Sequence, residues 1–136
     1  MKYSYEKPKQ AVILCGGLGT RLKPYTLSNP KPMILCNKKP FIWHLMKQLD
    51  GQGITNFVLL TGYLSKKIEN YFGDGNKFGW NINYSIGPVE WDTGKRIWEA
   101  KDLLEECFVL LYSDNIAPFS IDKVLETHYK NKLPMT

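Results

Sequence analysis

The chain has 136 residues, of which 43% are hydrophobic and 23% charged, with a formal net charge of +5. That length builds one domain with a core of its own, and the composition excludes collagen-like and disordered classes. No apolar run approaches the roughly 20 residues of a membrane span, and the opening MKYSYEKPKQ lacks the apolar centre of a secretory signal. A cytoplasmic protein without a membrane partner is the expectation.

The charge is concentrated. Between Lys7 and Leu49 there is no Asp or Glu, while Lys7, Lys9, Arg21, Lys23, Lys31, Lys38, Lys39 and Lys47 contribute +8, leaving −3 for the rest. A positive field confined to one segment suits a polyanionic ligand, although Lys7, Lys9, Lys38, Lys39 and Lys47 also read as solvated surface. Three cysteines, Cys15, Cys36 and Cys107, lie far apart with no CxxC or Cys/His spacing for zinc. Each is in or near an apolar run, which predicts buried free thiols.

Residues 11–15 (AVILC) are wholly apolar and run into glycine, as a buried parallel strand does. Pro40 fits the first turn of a helix, with Phe41, Ile42, Leu45, Met46 and Leu49 on one face and Gly51 and Gly53 as its stop. Residues 57–61 (FVLLT) predict a second buried strand. Ser65 suits an N-cap for a helix carrying Ile68, Tyr71 and Phe72, closed by Gly73 and Gly75. Trp80, Ile82, Tyr84 and Ile86 alternate with Asn81, Asn83 and Ser85, the pattern of a strand with one wet face. Helical spacing returns from Thr93 to about Glu106 and groups Ile97, Ala100, Leu103 and Leu104. Residues 108–112 predict another buried strand ending at Ser113-Asp114, and Ser120 can cap a last helix reaching about Asn131.

Strands alternating with helices mean an α/β fold with a largely parallel sheet. The closing KLPMT has the pattern of an approach to a further strand, so an incomplete domain is expected. The tryptophans and tyrosines follow the strand and helix periods and are expected in the core, not on a base-stacking platform. His44 and His128 lie on predicted helices without a paired Ser, Cys or carboxylate motif, which suits structural or surface roles.

The string from Gly16 to Thr26, GGLGTRLKPYT, follows the first predicted strand. Ligands of α/β sheets bind beyond the carboxyl ends of the strands, and glycines let backbone N–H groups approach phosphate oxygens. The dinucleotide fingerprint GxGxxG fails: counted from Gly17 and Gly19, its third glycine is Leu22, and no acidic residue follows about 20 positions later. The P-loop pattern fails because Arg21 stands where its second glycine belongs.

Together with NPKPM at 29–33 and KKPFIWHLM at 38–46, the string resembles the sugar-1-phosphate nucleotidyltransferase family. The family's GGxGTRLxPxT is matched from Gly16 to Thr26, its following lysine is Lys31, and its KP before a helix is Lys39-Pro40. The KPM, KP, WH and GI pieces look most like the glucose-1-phosphate cytidylyltransferase branch. GITNFVLLTGY at 53–63 and LLYSDN at 110–115 extend the resemblance over essentially the whole chain.

This resemblance implies a Rossmann-like nucleotide-binding half with a mostly parallel sheet and flanking helices. It implies transfer of an NMP from an NTP to a sugar-1-phosphate, releasing pyrophosphate and giving an NDP-sugar of the kind used for cell-surface polysaccharide. Leu14, Gly16, Gly17, Gly19 and Thr20 would hold the nucleotide. Arg21 would clamp the triphosphate and the leaving pyrophosphate, Lys31 would place a second cation at the α-phosphate, and Asp114 would bind Mg²⁺; these three carry the catalytic assignment. Gly94 would approach the base or ribose. Family members are longer, and their later part supplies sugar-binding groups and a second metal-binding Asp. Residues 1–136 would then be the truncated N-terminal half of the domain, inactive alone.

The base-reading loop corresponds to PVEWDTGKRIWEA at 88–100. Thr93-Gly94 matches the family there, whereas Lys95-Arg96 replaces residues that are usually small. Glu90, Trp91 and Asp92 read equally as base contacts and as a surface turn, so CTP, GTP, dTTP and UTP all stay open. The same resemblance admits a non-catalytic nucleotide-sensing or assembly module, and a transferase whose phosphorylated acceptor is not a sugar. Arg21, Lys31 and Asp114 occurring together favour catalysis. Nucleic-acid binding is disfavoured, because the charges flank a phosphate loop without aromatic–basic interleaving. An incomplete sheet leaves an edge uncovered, which invites homo-oligomers.

Overall fold

The computed structural model describes residues 6–136. In chain order the elements begin with β1 (Gln10–Cys15), a short antiparallel pair β2 (Leu35–Cys36) and β3 (Lys39–Pro40), and α1 (Phe41–Asp50). β4 (Asn56–Thr61), α2 (Ser65–Phe72), β5 (Asn81–Ile86), α3 (Thr93–Glu99), β6 (Phe108–Tyr112) and α4 (Ile121–Asn131) follow. The four long strands pair in parallel in the order β5-β4-β1-β6. From β1 the chain moves outward through β4 to β5, then returns to the other side of β1 with β6. The direction of winding reverses between β1 and β6, and a crevice opens beyond their carboxyl ends.

Successive strand residues face opposite sides of the sheet, and β1 divides accordingly. Ala11, Ile13 and Cys15 enter the larger core with Ile42, Leu45 and Leu49 of α1, Ile68 and Phe72 of α2, and Leu125 of α4. Val12 and Leu14 enter a smaller cluster on the opposite face, with Ala100 and the half-buried Ile97. Helices therefore cover both faces, which is why β1 and β4 read as unbroken apolar runs. Half-buried Gln52 ties the start of α4 to the segment after α1: its Oε1 accepts from Ile121 N at 2.8 Å and its Nε2 donates to Phe119 O at 3.1 Å.

Several expectations need correction. Ser65 is the first residue of α2 and not its cap; Leu64 precedes it in a left-handed conformation with no side-chain cap. Pro40 likewise lies just before α1, as its N-cap residue. The helix from Thr93 stops at Glu99, and a 3₁₀ turn over Lys101–Leu103 follows. β6 is not a buried strand: it lies at an edge of the sheet, with Leu110 40% and Tyr112 59% exposed. Only Cys15 is a buried thiol, since Cys36 and Cys107 are exposed. Tyr25 and Trp98 are likewise exposed and stand outside the core. Ser120 does cap α4, accepting from Lys123 N.

Candidate active site

A cleft of about 450 Å³ crosses the carboxyl ends of the strands. Its floor is the turn that leaves β1, and its two ends belong to opposite edges of the sheet. Leu14, Gly16, Gly17, Gly19, Thr20, Arg21, Lys31 and Asp114 all line it. The structure thus brings together every proposed site residue except Gly94, which is exposed on the first turn of α3 and is not among the lining residues, although Asp92 and Thr93 are.

The glycines of the turn serve different needs. Gly19 has a left-handed φ of 62°, and a methyl there would meet Thr26 Cγ2 at 2.9 Å and Lys31 Cβ at 3.0 Å. It lets the loop fold back on itself, and Thr26 Oγ1 closes that fold by donating to Gly19 O at 2.9 Å. The Tyr63 hydroxyl, from the segment after β4, donates to Thr26 O at 3.1 Å and anchors the loop from outside. Gly17 needs no unusual φ and has nothing within 4 Å of where a Cβ would stand. Its bare backbone faces open space. Gly16 is crowded instead: a Cβ would overlap the guanidinium of Arg96.

At the β6 end, Lys31 Nζ donates to Asp114 Oδ2 at 2.7 Å. Lys31 sits on a 3₁₀ turn (Lys31–Met33), and Asp114 follows β6 by two residues. The Lys31 hydrogen bond holds the Asp114 carboxyl below the usual carboxylate range against the opposing effect of burial, and the Arg21 charge adds to it weakly. Arg21 occupies the exposed 3₁₀ turn Thr20–Leu22 and makes no ion pair among the described residues. One carboxylate and two cations therefore gather where β1 and β6 diverge, with the guanidinium uncommitted.

The other end is built by the loop after β5. Trp91 packs its ring on Gly87, where a Cβ would overlap it. Asp92 caps α3, its Oδ1 accepting from Lys95 N at 2.7 Å. Trp91 and Asp92 border the cleft while Glu90 is an exposed turn residue. Arg96, only 6% exposed, donates to Thr61 O at 2.9 Å, Pro88 O at 2.8 Å and Gly16 O at 3.3 Å. Burial pulls its pKa below the ordinary arginine value. Sequence reasoning missed Arg96. The available signal was a glycine directly after three strands, Gly16, Gly62 and Gly87: the first two make room for this guanidinium and the third for Trp91.

The buried Cys15 thiol is pushed up to about 12 by desolvation, so it stays protonated and inert at neutral pH. Among the described residues no group of three or more His, Cys, Asp or Glu gathers to hold a metal. None of the described helices is long and apolar enough to cross a membrane.

Residues 10–136 match the nucleotidyl transferase family. The chain belongs to that family. Among its nucleotidyl transferase relatives, D-glycero-alpha-D-manno-heptose 1-phosphate guanylyltransferase of Aneurinibacillus thermoaerophilus is 38% identical over 129 residues, covering 93% of this chain and 55% of the relative. Glucose-1-phosphate cytidylyltransferase of Salmonella typhimurium is 30% identical over 142 residues, covering 88% and 55%. The crystal structure of HddC from Yersinia pseudotuberculosis complexed with GMP-PN superposes with a TM-score of 0.78 at 30% identity, covering 88% of this chain and 54% of that one. The chain thus spans about half the length of these relatives.

Proposed function

We propose that this chain is the nucleotide-binding part of an enzyme that transfers a nucleoside monophosphate from an NTP to a sugar-1-phosphate. The supporting observation is the convergence of the glycine turn, Arg21, Lys31 and Asp114 on one cleft at the point where the strand order reverses. In such a reaction a phosphate oxygen of the acceptor bonds to the α-phosphorus, and the bond from that phosphorus to the bridging oxygen of pyrophosphate breaks. No covalent intermediate on the protein is required, so positioning and charge neutralisation carry catalysis.

The residues divide that work. Gly17 and Gly19 present backbone close to the nucleotide phosphates, with Leu14, Gly16 and Thr20 beside them. The exposed guanidinium of Arg21 fits the charge that grows on departing pyrophosphate. Lys31 supplies the second cation, and Gly94, next to the cleft-lining Thr93, would approach the base or ribose. Asp114 is ionised, borders the cleft and offers a hard oxygen donor, which fits Mg²⁺ held by one carboxylate together with ligand phosphates. When bound, Mg²⁺ would neutralise phosphate charge. The acceptor groups and any further carboxylate would come from sequence corresponding to the second half of the relatives.

Titration of the chain with CTP, GTP, UTP and dTTP, each with Mg²⁺, tests the reading. At least one should bind, and Asp114→Asn should weaken the Mg²⁺-dependent part. A folded chain that binds none of them defeats the proposal.

A further inference from the structure

Arg96 is the one strongly buried charge in the described chain that has no acid to answer it. Among the described residues no carboxylate pairs with it, and its hydrogen bonds go to three backbone carbonyls. Those carbonyls come from three places: Thr61 ends β4, Gly16 follows β1, and Pro88 follows β5. The guanidinium also fills the space that side chains at Gly16 and Gly62 would need. Buried cations are costly unless well bonded, so one pairing only with carbonyls signals a job that a Leu or Met could not do.

The geometry points to Arg96 as a positioning residue that aims the Gly16–Gly17 peptide of the cleft at the phosphates of a nucleoside triphosphate. A trans peptide is planar, with its C=O and N–H antiparallel. The Gly16 carbonyl turns toward Arg96, so the Gly17 N–H turns the opposite way, on the exposed residue whose Cα faces open space. Without the guanidinium nothing described holds that carbonyl, and the peptide between two glycines is free to rotate. A merely structural plug would need the volume of Arg96 but not the direction of one peptide. The inference rests on the nucleotidyl-transfer reading of the cleft.

The test is nucleotide titration of the whole 136-residue chain, followed by calorimetry and by the Gly17 amide signal in ¹⁵N-labelled protein. CTP, GTP, UTP and dTTP are the probes, and the tightest is carried through the variants. In the wild type the Gly17 amide should shift on binding. Arg96→Met keeps the length and loses the donors; Kd should rise about tenfold, the loss of one fixed hydrogen-bond donor, and the Gly17 shift should vanish. Arg96→Lys keeps the charge but cannot hold three carbonyls at once, so it should fall between the two. A folded Arg96→Met chain with Kd within about twofold of wild type and a normal Gly17 shift overturns the proposal. If Arg96→Met does not fold, Arg96→Lys decides, since wild-type Kd and a full Gly17 shift there overturn it equally. A wild type that binds none of the four nucleotides sinks the nucleotidyl-transfer reading and this inference with it, whereas normal binding by both variants sinks only the role of Arg96.

Discussion

Replacing Arg21 with alanine separates a ligand-binding role from a structural one, because among the described residues its side chain has no ion pair or hydrogen bond to lose. It lies on an exposed turn, its 3₁₀ helix buries no residue, and it makes no ion pair among the described residues. Removal should therefore change folding stability by no more than about 0.5 kcal/mol. Its charge does reach Asp114, but Lys31 dominates there, so Asp114 stays ionised without it. Toward a triphosphate the account differs. Charge-assisted hydrogen bonds contribute roughly 1.5–3 kcal/mol, so Arg21→Ala should raise the Kd of the preferred NTP by about tenfold to a hundredfold. In a form of the enzyme that turns over, help that grows as pyrophosphate leaves should cost about two to four orders of magnitude in kcat/KM. Arg21→Lys should recover only part, since an ammonium lacks the bidentate fork. Calorimetric unfolding and nucleotide titration on one preparation decide the matter. A drop of several degrees in Tm with unchanged Kd would show that Arg21 clasps the loop and refute its assignment to the phosphates.

Gly17→Ala meets no atom within 4 Å, so it should leave Tm unchanged or slightly raised while weakening nucleotide binding; unchanged binding would mean that its bare backbone serves no ligand. Gly16→Ala drives a methyl into the Arg96 guanidinium and should lose about 1–3 kcal/mol in denaturant unfolding, a loss that Arg96→Ala in the same chain partly relieves. The depressed Asp114 carboxyl makes the unfolded chain the stronger proton binder. Its stabilisation is complete above the ordinary carboxylate value near 4 and is lost as pH falls through the folded value. With its side chain 45% exposed the pair contributes at most about 1 kcal/mol, and Asp114→Asn should flatten the acid limb of a stability–pH curve by that amount. Iodoacetamide should label Cys36 and Cys107 in the native chain but spare Cys15, whose buried thiol is pushed up to about 12; native labelling of Cys15 would contradict its burial.

The α/β class, the four parallel strands and the glycine turn after β1 were legible from local pattern, because apolar runs (β1, β4, β6) and strict alternation (β5) both mark strands, and a tight turn at a strand end favours glycine. Arg21, Lys31 and Asp114 were legible through their motifs, and their meeting in one cleft follows from strand order. What sequence could not decide was every property set by neighbours distant in the chain. The apolar run of β6 reads like that of β1, yet β1 lies between two strands while β6 lies at an edge with Leu110 and Tyr112 uncovered. Cys36 and Cys107 adjoin apolar residues but fall on the β2–β3 hairpin and just before β6, where the surface is wet. Arg96 carries this furthest. In sequence it is one half of an exposed-looking Lys-Arg pair at the start of a helix, and Lys95 does point to its neighbour Glu99. Helix α3 turns the next side chain inward, and only the folded sheet brings the carbonyls of residues 16, 61 and 88 around it. A buried cation needs acceptors, and acceptors gathered from three strand ends exist only after the sheet has assembled.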